Sequence, residues 1–427
     1  MTDRAGAPPA HAIDEAVRLG ELGRAEILAR LSALAPPRRA DVFAHLTPRL
    51  QVELAGAMER RDLARLGAAM APDDRADLVG LLAPEDRERF LGGLAPAERE
   101  GTLRLAAHAD GTAGALMTTD YAALGADATA LEALDSLRRE APEEAAMHRF
   151  FVLDEGRLVG VVPLRDLILA PDDAPLGGLM DPAPVSIGAD GSREEAARLI
   201  ARYDLPALPV VDGDGRLLGI VTYDDAADAL LAETTEDFQR TSTILPFGES
   251  LRDAGIALLY RKRVVWLALL VFGNLFSGAG IAYFEEMILA YVALVFFLPL
   301  LIDSSGNAGS QSATLMVRAL ATGDVGLKDW RRLIARELAI AAMLGVTMAL
   351  VVAPLGVWRG GPEVALVVGL TMLVLVMVGS LVGMSLPFVL SLLRLDPATA
   401  SGPLVTTISD GVGVLVYFSI AALILGS

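Results

Sequence analysis

The chain has 427 residues, of which 53% are hydrophobic and 21% are charged. Of its 54 acidic and 36 basic residues, 44 and 25 precede residue 251, so this part carries a net charge of −19 and the remainder +1. We therefore expect an acidic soluble region followed by a membrane region, and we exclude nucleic-acid binding, which needs a basic surface. The lack of cysteine excludes disulfides and thiolate chemistry, and residues 1–30 lack the apolar core of a signal peptide.

Residues 30–100 contain a repeat with a period of 12 residues. In most copies an apolar residue and a small residue precede a proline, as in Leu34-Ala-Pro36 and Leu82-Ala-Pro84. Proline in a first helical turn, followed by acids, is a signal for the start of a helix. The repeat predicts a superhelix of short helices, which we assign to an N-terminal domain at residues 1–115.

A second repeat, with a separation of 59 residues, covers about 120–240. The segment FFVLDEGRLVGVVPLRDLI (150–168) matches LPVVDGDGRLLGIVTYDDAAD (208–228), and each copy has the pattern strand, glycine turn, strand and helix start. Two such β-α-β-β-α units resemble a pair of CBS domains, expected at 116–240. Thr222 and Asp225 resemble the Thr-x-x-Asp of nucleotide-binding CBS modules, whereas the first copy has Pro163 in place of the threonine. We therefore expect one nucleotide site, with ATP as the candidate ligand.

Acidic residues are concentrated at the end of this region. Asp224 and Asp228 are four residues apart, and Glu233, Glu236 and Asp237 have helical spacing, so each set shares one helix face. Like charges at this spacing repel, and such a face is either solvated or neutralised by metal. Its position before the membrane region of an acidic chain favours metal sensing.

Five apolar stretches follow, each near or above the roughly 20 residues that cross a bilayer as a helix. They lie at about 264–283, 286–304, 333–357, 364–390 and 403–425. With five spans the basic clusters fall on one side of the membrane, which places the N-terminus in the cytoplasm and the C-terminus outside. We assign a connecting, plug-like helix to 241–262 and the pore domain to 263–427. An odd number of spans argues against internal duplication, so a two-fold pore requires a homodimer.

The second stretch runs into a polar segment, DSSGNAGS (303–310). Pro299 and this segment are expected to end or interrupt the helix near the inner mouth of a pore. The carboxylate of Asp303 and the amide of Asn307 are hard oxygen ligands that suit Mg²⁺ or Ca²⁺. The alternative is that small residues serve close helix packing.

Asp410 lies inside the fifth stretch, about 10 Å from its cytoplasmic end at ~1.5 Å per residue. A carboxylate at this depth costs at least ~2.5 kcal/mol. It is either a pore or ion ligand, or a protonated group in a helix–helix hydrogen bond. At the outer surface, Glu285 and Glu286 either gather cations or mark the membrane interface.

The order of these parts, together with four short motifs, resembles the MgtE family of magnesium transporters over nearly the whole chain. The motifs are PFGES (246–250), RKRVVWL (261–267), GNAGSQ (306–311) and TTISDG (406–411). The resemblance implies a multidomain membrane protein with an N-terminal α-helical superhelix, an α/β tandem CBS pair and an all-α five-helix transmembrane domain. It also implies a homodimeric Mg²⁺ channel in a bacterial-type inner membrane.

The resemblance further implies the site residues. Asp410 matches the pore carboxylate of the family, and Gly306, Asn307, Gly309 and Ser310 match its pore-lining segment. In the family, cytosolic Mg²⁺ binds between the N-terminal and CBS domains and closes the channel. The matching acids are Asp73, Asp77, Glu194, Asp204, Asp224, Asp225, Asp228, Glu233, Glu236, Asp237 and Asp396. The chain departs from the family at Ser305, where glycine is frequent, and at Asp303, which either alters selectivity or is a solvated cap.

Other functions remain to be weighed. A membrane-anchored sensor would not need Asp410 or the GNAGSQ motif, and a secondary transporter with Asp410 as proton carrier would depend on a proton gradient. A CBS-regulated anion channel would need a cationic pore and more spans. An enzyme is disfavoured because the sequence has no Ser–His pairing, P-loop or zinc motif. Oxygen ligands admit Mg²⁺, Mn²⁺, Co²⁺ and Ca²⁺ alike, so the sequence does not choose among these ions.

Overall fold

A computed structural model describes residues 11–140, 146–247 and 254–426. The chain divides into two compact units, Met1–Ala232 and Glu233–Ser427. The first contains the helical repeat and the CBS pair, and the second contains the membrane helices. The predicted fold class is confirmed.

The 12-residue repeat forms a stack of short helices. Prolines occupy the first turn of five of them, as the sequence predicts, because the missing amide of proline is not needed there. One face of each of the first seven helices packs into a shared apolar core that includes Phe43, Leu63 and Phe90, whereas Leu105 of the eighth packs in the core of the second CBS copy. The helices are α1 (Ala12–Gly20), α2 (Arg24–Ala33), α3 (Pro36–Ala44), α4 (Pro48–Ala57), α5 (Arg60–Ala69), α6 (Pro72–Leu81), α7 (Pro84–Leu91) and α8 (Pro96–Leu105).

The 59-residue repeat forms two three-stranded sheets of the same design. In each, a short first strand runs parallel to the second, and the second pairs antiparallel with the third. The first copy consists of α9 (Ala113–Leu116), β1 (Ala123–Gly125), α10 (Ala130–Glu140), β2 (Arg149–Asp154), β3 (Arg157–Pro163) and α11 (Leu164–Leu169). The second consists of α12 (Leu176–Leu179), β4 (Ile187–Gly188), α13 (Arg193–Tyr203), β5 (Ala207–Val211), β6 (Leu217–Thr222) and α14 (Tyr223–Thr241).

The two CBS copies meet through their hairpins. Arg157 and Arg216, which are equivalent positions of the repeat, form an antiparallel bridge. On either side of them, the Leu158 amide donates to the Gly215 carbonyl at 3.0 Å and the Leu217 amide donates to the Gly156 carbonyl at 3.1 Å. The copies are therefore related by an approximate two-fold axis through this bridge.

In its described residues from 254 to 426, the membrane unit contains four long α-helices and one short one. They are α15 (Ile256–Tyr283), α16 (Glu285–Ala290), α17 (Ala293–Ala321), α18 (Trp330–Leu392) and α19 (Gly402–Leu425). Helix α18 is broken at Gly361, whose φ of 81° interrupts the helix, so its two halves match the third and fourth predicted spans. Of the connector predicted to be helical, 242–247 are not helical, 248–253 lie outside the described residues, and helix resumes at Ile256.

By length and composition alone, three helical stretches of the described chain are suited to cross a membrane: Ile256–Tyr283, Leu327–Leu392 and Gly402–Leu425. The second of these holds both halves of α18. Helix α17 falls outside this group because its polar segment dilutes its apolar residues. It nevertheless packs along both α18 and α19 in the middle of the unit.

The prediction that Pro299 and the polar segment end the second helix is wrong. Helix α17 begins at Ala293, contains Pro299 and continues through the polar segment to Ala321. Proline removes only one backbone hydrogen bond near the start of this helix. An unwound segment in the membrane would leave many more backbone groups unpaired. The helix therefore persists where local signals favour a break.

Candidate functional site

Small residues let α17 approach its two neighbours closely. A β-carbon built on Gly306 would lie 2.9 Å from Thr406 Cγ2 in α19, and one built on Gly309 would lie 2.6 Å from the Gly379 carbonyl oxygen in α18. Both glycines are buried. The small residues of the GNAGSQ motif thus allow close packing between helices, which was the alternative to ion binding expected from the sequence.

Serine hydroxyls fix the rotation of α17 about its axis. Ser305 Oγ is buried and donates to the Leu375 carbonyl in α18 at 2.8 Å. Ser310 Oγ donates to the Gly402 carbonyl at 3.4 Å and lies 3.5 Å from Thr406 Oγ1. With the small and hydroxyl residues turned toward α18 and α19, the larger polar residues of the segment lie on the opposite face.

That opposite face carries Asp303, Asn307 and Gln311, which follow one another at intervals of four residues and are all exposed. Asp410 in α19 is half-buried, and Asp303 lies close enough for the two negative charges to repel each other. In the part of the chain that the structure describes, neither carboxylate has a hydrogen-bond or ion-pair partner. The structure thus brings together two carboxylates and an amide that the sequence singled out separately.

In the first unit, Asp73 of α6 lies near two acids of the CBS pair. Burial raises the pKa of Asp73, the Thr118 hydroxyl opposes this by a hydrogen bond, and the charges of Asp224 and Asp120 raise the pKa further. Within the described residues, the Oδ1 atom of Asp73 is buried without a hydrogen-bond partner. A buried carboxylate oxygen that faces other carboxylates needs a proton or a cation.

Asp77 follows one turn later on α6. Burial raises its pKa to about 6, with further contributions from the charges of Asp73 and Asp110. Asp77 lines a cavity of about 350 Å³ together with His108 and Asp110. The acids of α6 therefore repel one another as the structure stands.

The other predicted cytosolic acids have varied environments. Asp225 and the half-buried Glu233, Glu236 and Asp237 lie on α14, and Asp228 is exposed on the same helix. Asp204 ends α13 with a left-handed φ of 51°, and Glu194 pairs with Arg198 at 3.8 Å. Among the described residues, no group of three or more His, Asp or Glu side chains is arranged to hold a metal ion.

Asp396 lies in the loop before α19, where its Oδ1 accepts from the Ala398 amide at 2.8 Å and begins a short 3-10 helix, Pro397–Thr399. Its other oxygen forms an ion pair with Arg240 of α14, and Arg240 also pairs with Glu236. Two acids from distant parts of the sequence are thus joined by a guanidinium group.

The two residues predicted to bind a nucleotide also lie together. Thr222 Oγ1, at the end of β6, donates to Asp225 Oδ2 in the first turn of α14 at 2.5 Å. The hydrogen bond orients both side chains at the junction between the strand and the helix. In the membrane unit, Glu285 is exposed in α16.

Sequence reasoning missed three residues of these sites: Asp120, Arg240 and Glu337. Asp120 reaches Asp73 only through the packing of α6 on the CBS pair, and Arg240 reaches Asp396 across 156 residues. Glu337 accepts a hydrogen bond from Ser312 in α17. A charged residue inside the third apolar stretch was a signal that the sequence offered for Glu337.

Comparison with known proteins agrees with this architecture. A family model described as a divalent cation transporter, MgtE, matches residues 298–420. The model of the MgtE intracellular N domain matches 10–111, and the CBS domain model matches 113–173 and 176–232. These domains and the apolar helices define a multi-pass membrane transporter of divalent cations.

Relatives with curated names are similar over most of their length. The magnesium transporter MgtE of Thermus thermophilus is 42% identical over 322 residues, which cover 75% of this chain and 72% of the relative. That of Bacillus subtilis is 35% identical over 73% of this chain and 69% of the relative. The chain belongs to the MgtE family, and the resemblance inferred from the sequence is confirmed.

Two solved structures each match about half of this chain. The crystal structure of the cytosolic domain of the Mg²⁺ channel MgtE in complex with ATP is 36% identical, has a TM-score of 0.50 and covers 52% of this chain and 90% of that chain. The soluble part of a magnesium transporter is 30% identical, also with a TM-score of 0.50, and covers 52% of this chain and 89% of that chain.

Proposed function

We propose that the protein is a homodimeric Mg²⁺ channel whose pore carboxylate is Asp410. The observation that carries this proposal is that Asp303 and Asp410 lie close enough on two packed membrane helices for their charges to repel each other, while neither has a hydrogen-bond or ion-pair partner among the described residues. Such a pair in the membrane is costly unless a cation or a water-filled pathway compensates it. Two negative charges match one Mg²⁺ ion.

The exposed polar face of α17 supports the homodimer. Asp303, Asn307 and Gln311 would face lipid if a single chain were inserted alone, which polar groups at membrane depth do not tolerate. A second copy related by a two-fold axis would cover this face and line a pathway with oxygen ligands. Mg²⁺ gives up its waters reluctantly, so amide and carboxylate oxygens would hold it partly hydrated.

The acids of the cytosolic part support gating by internal Mg²⁺. Asp73 and Asp224 repel each other, and the buried Asp73 oxygen lacks a partner in the described chain. Cations between such acids would favour one arrangement of the domains, and only this difference in affinity shifts the gate. Because these acids do not converge on one point, the ions would keep water and bind weakly, as sensing at cellular concentrations requires.

ATP binding at the second CBS copy is part of the proposal. It rests on the Thr222–Asp225 hydrogen bond and on the similarity to a cytosolic domain solved with ATP. The N-terminus is proposed to be cytoplasmic and the C-terminus outside, from the distribution of basic residues.

The test is Mg²⁺ flux into proteoliposomes that contain wild type or Asp410→Ala, with and without a proton gradient. We expect wild-type flux without the gradient, and its loss or loss of selectivity in the variant. Flux that needs the gradient would replace the channel with a coupled transporter. No flux at low internal Mg²⁺ would leave only a sensor.

A further inference from the structure

Arg240 occupies a position between two carboxylates that the proposed function assigns to regulatory Mg²⁺. It lies in the last turn of α14 and pairs with Glu236 on the same helix and with Asp396 before α19. The exposed fractions of the Arg240, Glu236 and Asp396 side chains are 32%, 25% and 28%. The three groups are thus mostly shielded, so solvent weakens their pairing less than at an open surface.

The segment that follows α14 is held to the first membrane helix. The side-chain amide of Gln239 forms two hydrogen bonds with the backbone of Phe247: Oε1 accepts from the Phe247 amide at 3.0 Å, and Nε2 donates to the Phe247 carbonyl at 3.4 Å. Lys262 of α15 donates to the Pro246 carbonyl, and the Leu245 amide donates to the Lys262 carbonyl at 3.0 Å. The end of α14 is therefore connected to α15 by hydrogen bonds and to the start of α19 by Arg240.

The charge of Arg240 determines how Mg²⁺ can bind to Glu236 and Asp396. A guanidinium group brings one positive charge to two carboxylates, whereas Mg²⁺ would bring two. Arginine keeps its proton at any physiological pH, so deprotonation cannot release Arg240 from the two carboxylates. A guanidinium and a Mg²⁺ ion between the same two carboxylates would repel each other.

We propose that Arg240 is a tethered cation that Mg²⁺ must displace from Glu236 and Asp396, and that it sets the Mg²⁺ concentration at which this site fills. This inference rests on the proposed function, because it presumes that regulatory Mg²⁺ binds these two carboxylates. While Arg240 is in place, it joins α14 to the start of the helix that carries Asp410. Mg²⁺ takes over the same connection with higher charge and oxygen-only coordination.

The lack of cysteine allows a site-specific test on the full chain. A spin label on Leu395→Cys, an exposed position beside Asp396, reports paramagnetic Mn²⁺ bound nearby, and Mg²⁺ is then titrated to displace the Mn²⁺. Arg240→Gln should lower the Mn²⁺ concentration for half-maximal broadening by about fivefold, as expected for a lost ion pair. With Mn²⁺ held at each variant's own half-maximal concentration, the Mg²⁺ concentration that reverses the broadening should fall by the same factor. Arg240→Lys, which keeps the charge but not the planar fork, should give an intermediate change.

The matched control is Arg394→Gln, which removes the same charge two residues from Asp396, where the described chain gives Arg394 no ion pair. An equal effect of Arg394→Gln and Arg240→Gln would overturn the inference, because net charge alone would explain both. So would an unchanged titration in Arg240→Gln while Asp396→Asn abolishes the broadening. If Asp396→Asn leaves the broadening unchanged, no metal binds these carboxylates, and the sensing role proposed for them fails together with the inference. Thermal unfolding of each variant verifies that it is folded.

Discussion

Gly379 of α18 lies directly against the main chain of Ser305 in α17. A β-carbon built on Gly379 would clash with the Ser305 carbonyl oxygen and would lie 2.7 Å from its Oγ and 2.9 Å from its carbonyl carbon. The carbonyl oxygen and carbon are backbone atoms of a packed helix, so they cannot move aside without displacing the helix. The contact holds α17 in the rotation that exposes Asp303 and Asn307.

Gly379→Ala should therefore destabilise the membrane unit by about 1–3 kcal/mol, the usual range for overpacking, and reduce flux. Thermal unfolding in detergent measures the first effect. Gly369→Ala on the same helix is the control, because a β-carbon there would meet no atom within 4 Å. Equal unfolding temperatures for the two variants would contradict the packing argument.

The Ser312–Glu337 hydrogen bond supports a second prediction. Glu337→Gln keeps an acceptor for Ser312 and should leave stability nearly unchanged, whereas Ser312→Ala removes the donor to a half-buried carboxylate. We expect the latter to cost about 1.5–3 kcal/mol, the range for hydrogen bonds to charged groups. Unfolding temperatures are compared with those of Ser304→Ala, whose hydroxyl donates only within its own helix, to the Leu300 carbonyl. A larger loss from Ser304→Ala would refute this ranking.

The raised pKa of Asp77 predicts a pH dependence of stability. Its folded pKa is about 6 against an ordinary 3.8, so the folded state binds this proton more tightly than the unfolded state. The ionised side chain therefore lowers the free energy of unfolding at neutral pH, and this penalty disappears as the pH falls from above 6 to below 4. The side chain is partly open to solvent, so the effect is modest.

Asp77→Asn should accordingly raise the unfolding temperature at pH 7.5 in the presence of a chelator, and its advantage over wild type should shrink toward pH 4.5. Asp14→Asn on α1 applies the same change to a superhelix acid outside this group. An advantage of Asp77→Asn that is constant with pH would disprove the role of ionisation.

The two CBS copies provide an internal control for nucleotide binding. Asp225→Ala should weaken ATP binding by at least tenfold, because it removes the carboxylate that Thr222 orients. Asp166→Ala changes the equivalent position of the first copy, where Pro163 replaces the threonine, and should leave binding unchanged. Titration calorimetry with ATP on the full-length protein makes the comparison. Loss of binding in Asp166→Ala alone would place the nucleotide in the other copy.

Sequence predicted best what is encoded by local repetition. Proline at the first helical turn identified the helices of the superhelix, and the 59-residue repeat of a strand–turn–strand pattern identified the two sheets, because both signals lie in short stretches of local sequence. The continuity of α17 through Pro299 was not predictable in this way, since packing against Gly379 and the lack of water overrule the local preference. The pairings of Asp73 with Asp120 and of Arg240 with Asp396 depend on tertiary contacts, for which one sequence provides no signal.

The polar segment of α17 also affects how the protein is made. Its polar residues make α17 less apolar than the three stretches suited to cross a membrane, so we expect its insertion to depend on packing against them, and the break at Gly361 gives α18 two apolar halves for this purpose. During biosynthesis we therefore expect α17 to remain at the translocon until α18 has left the ribosome. The residues proposed to conduct the ion would then impose the order in which the membrane domain assembles.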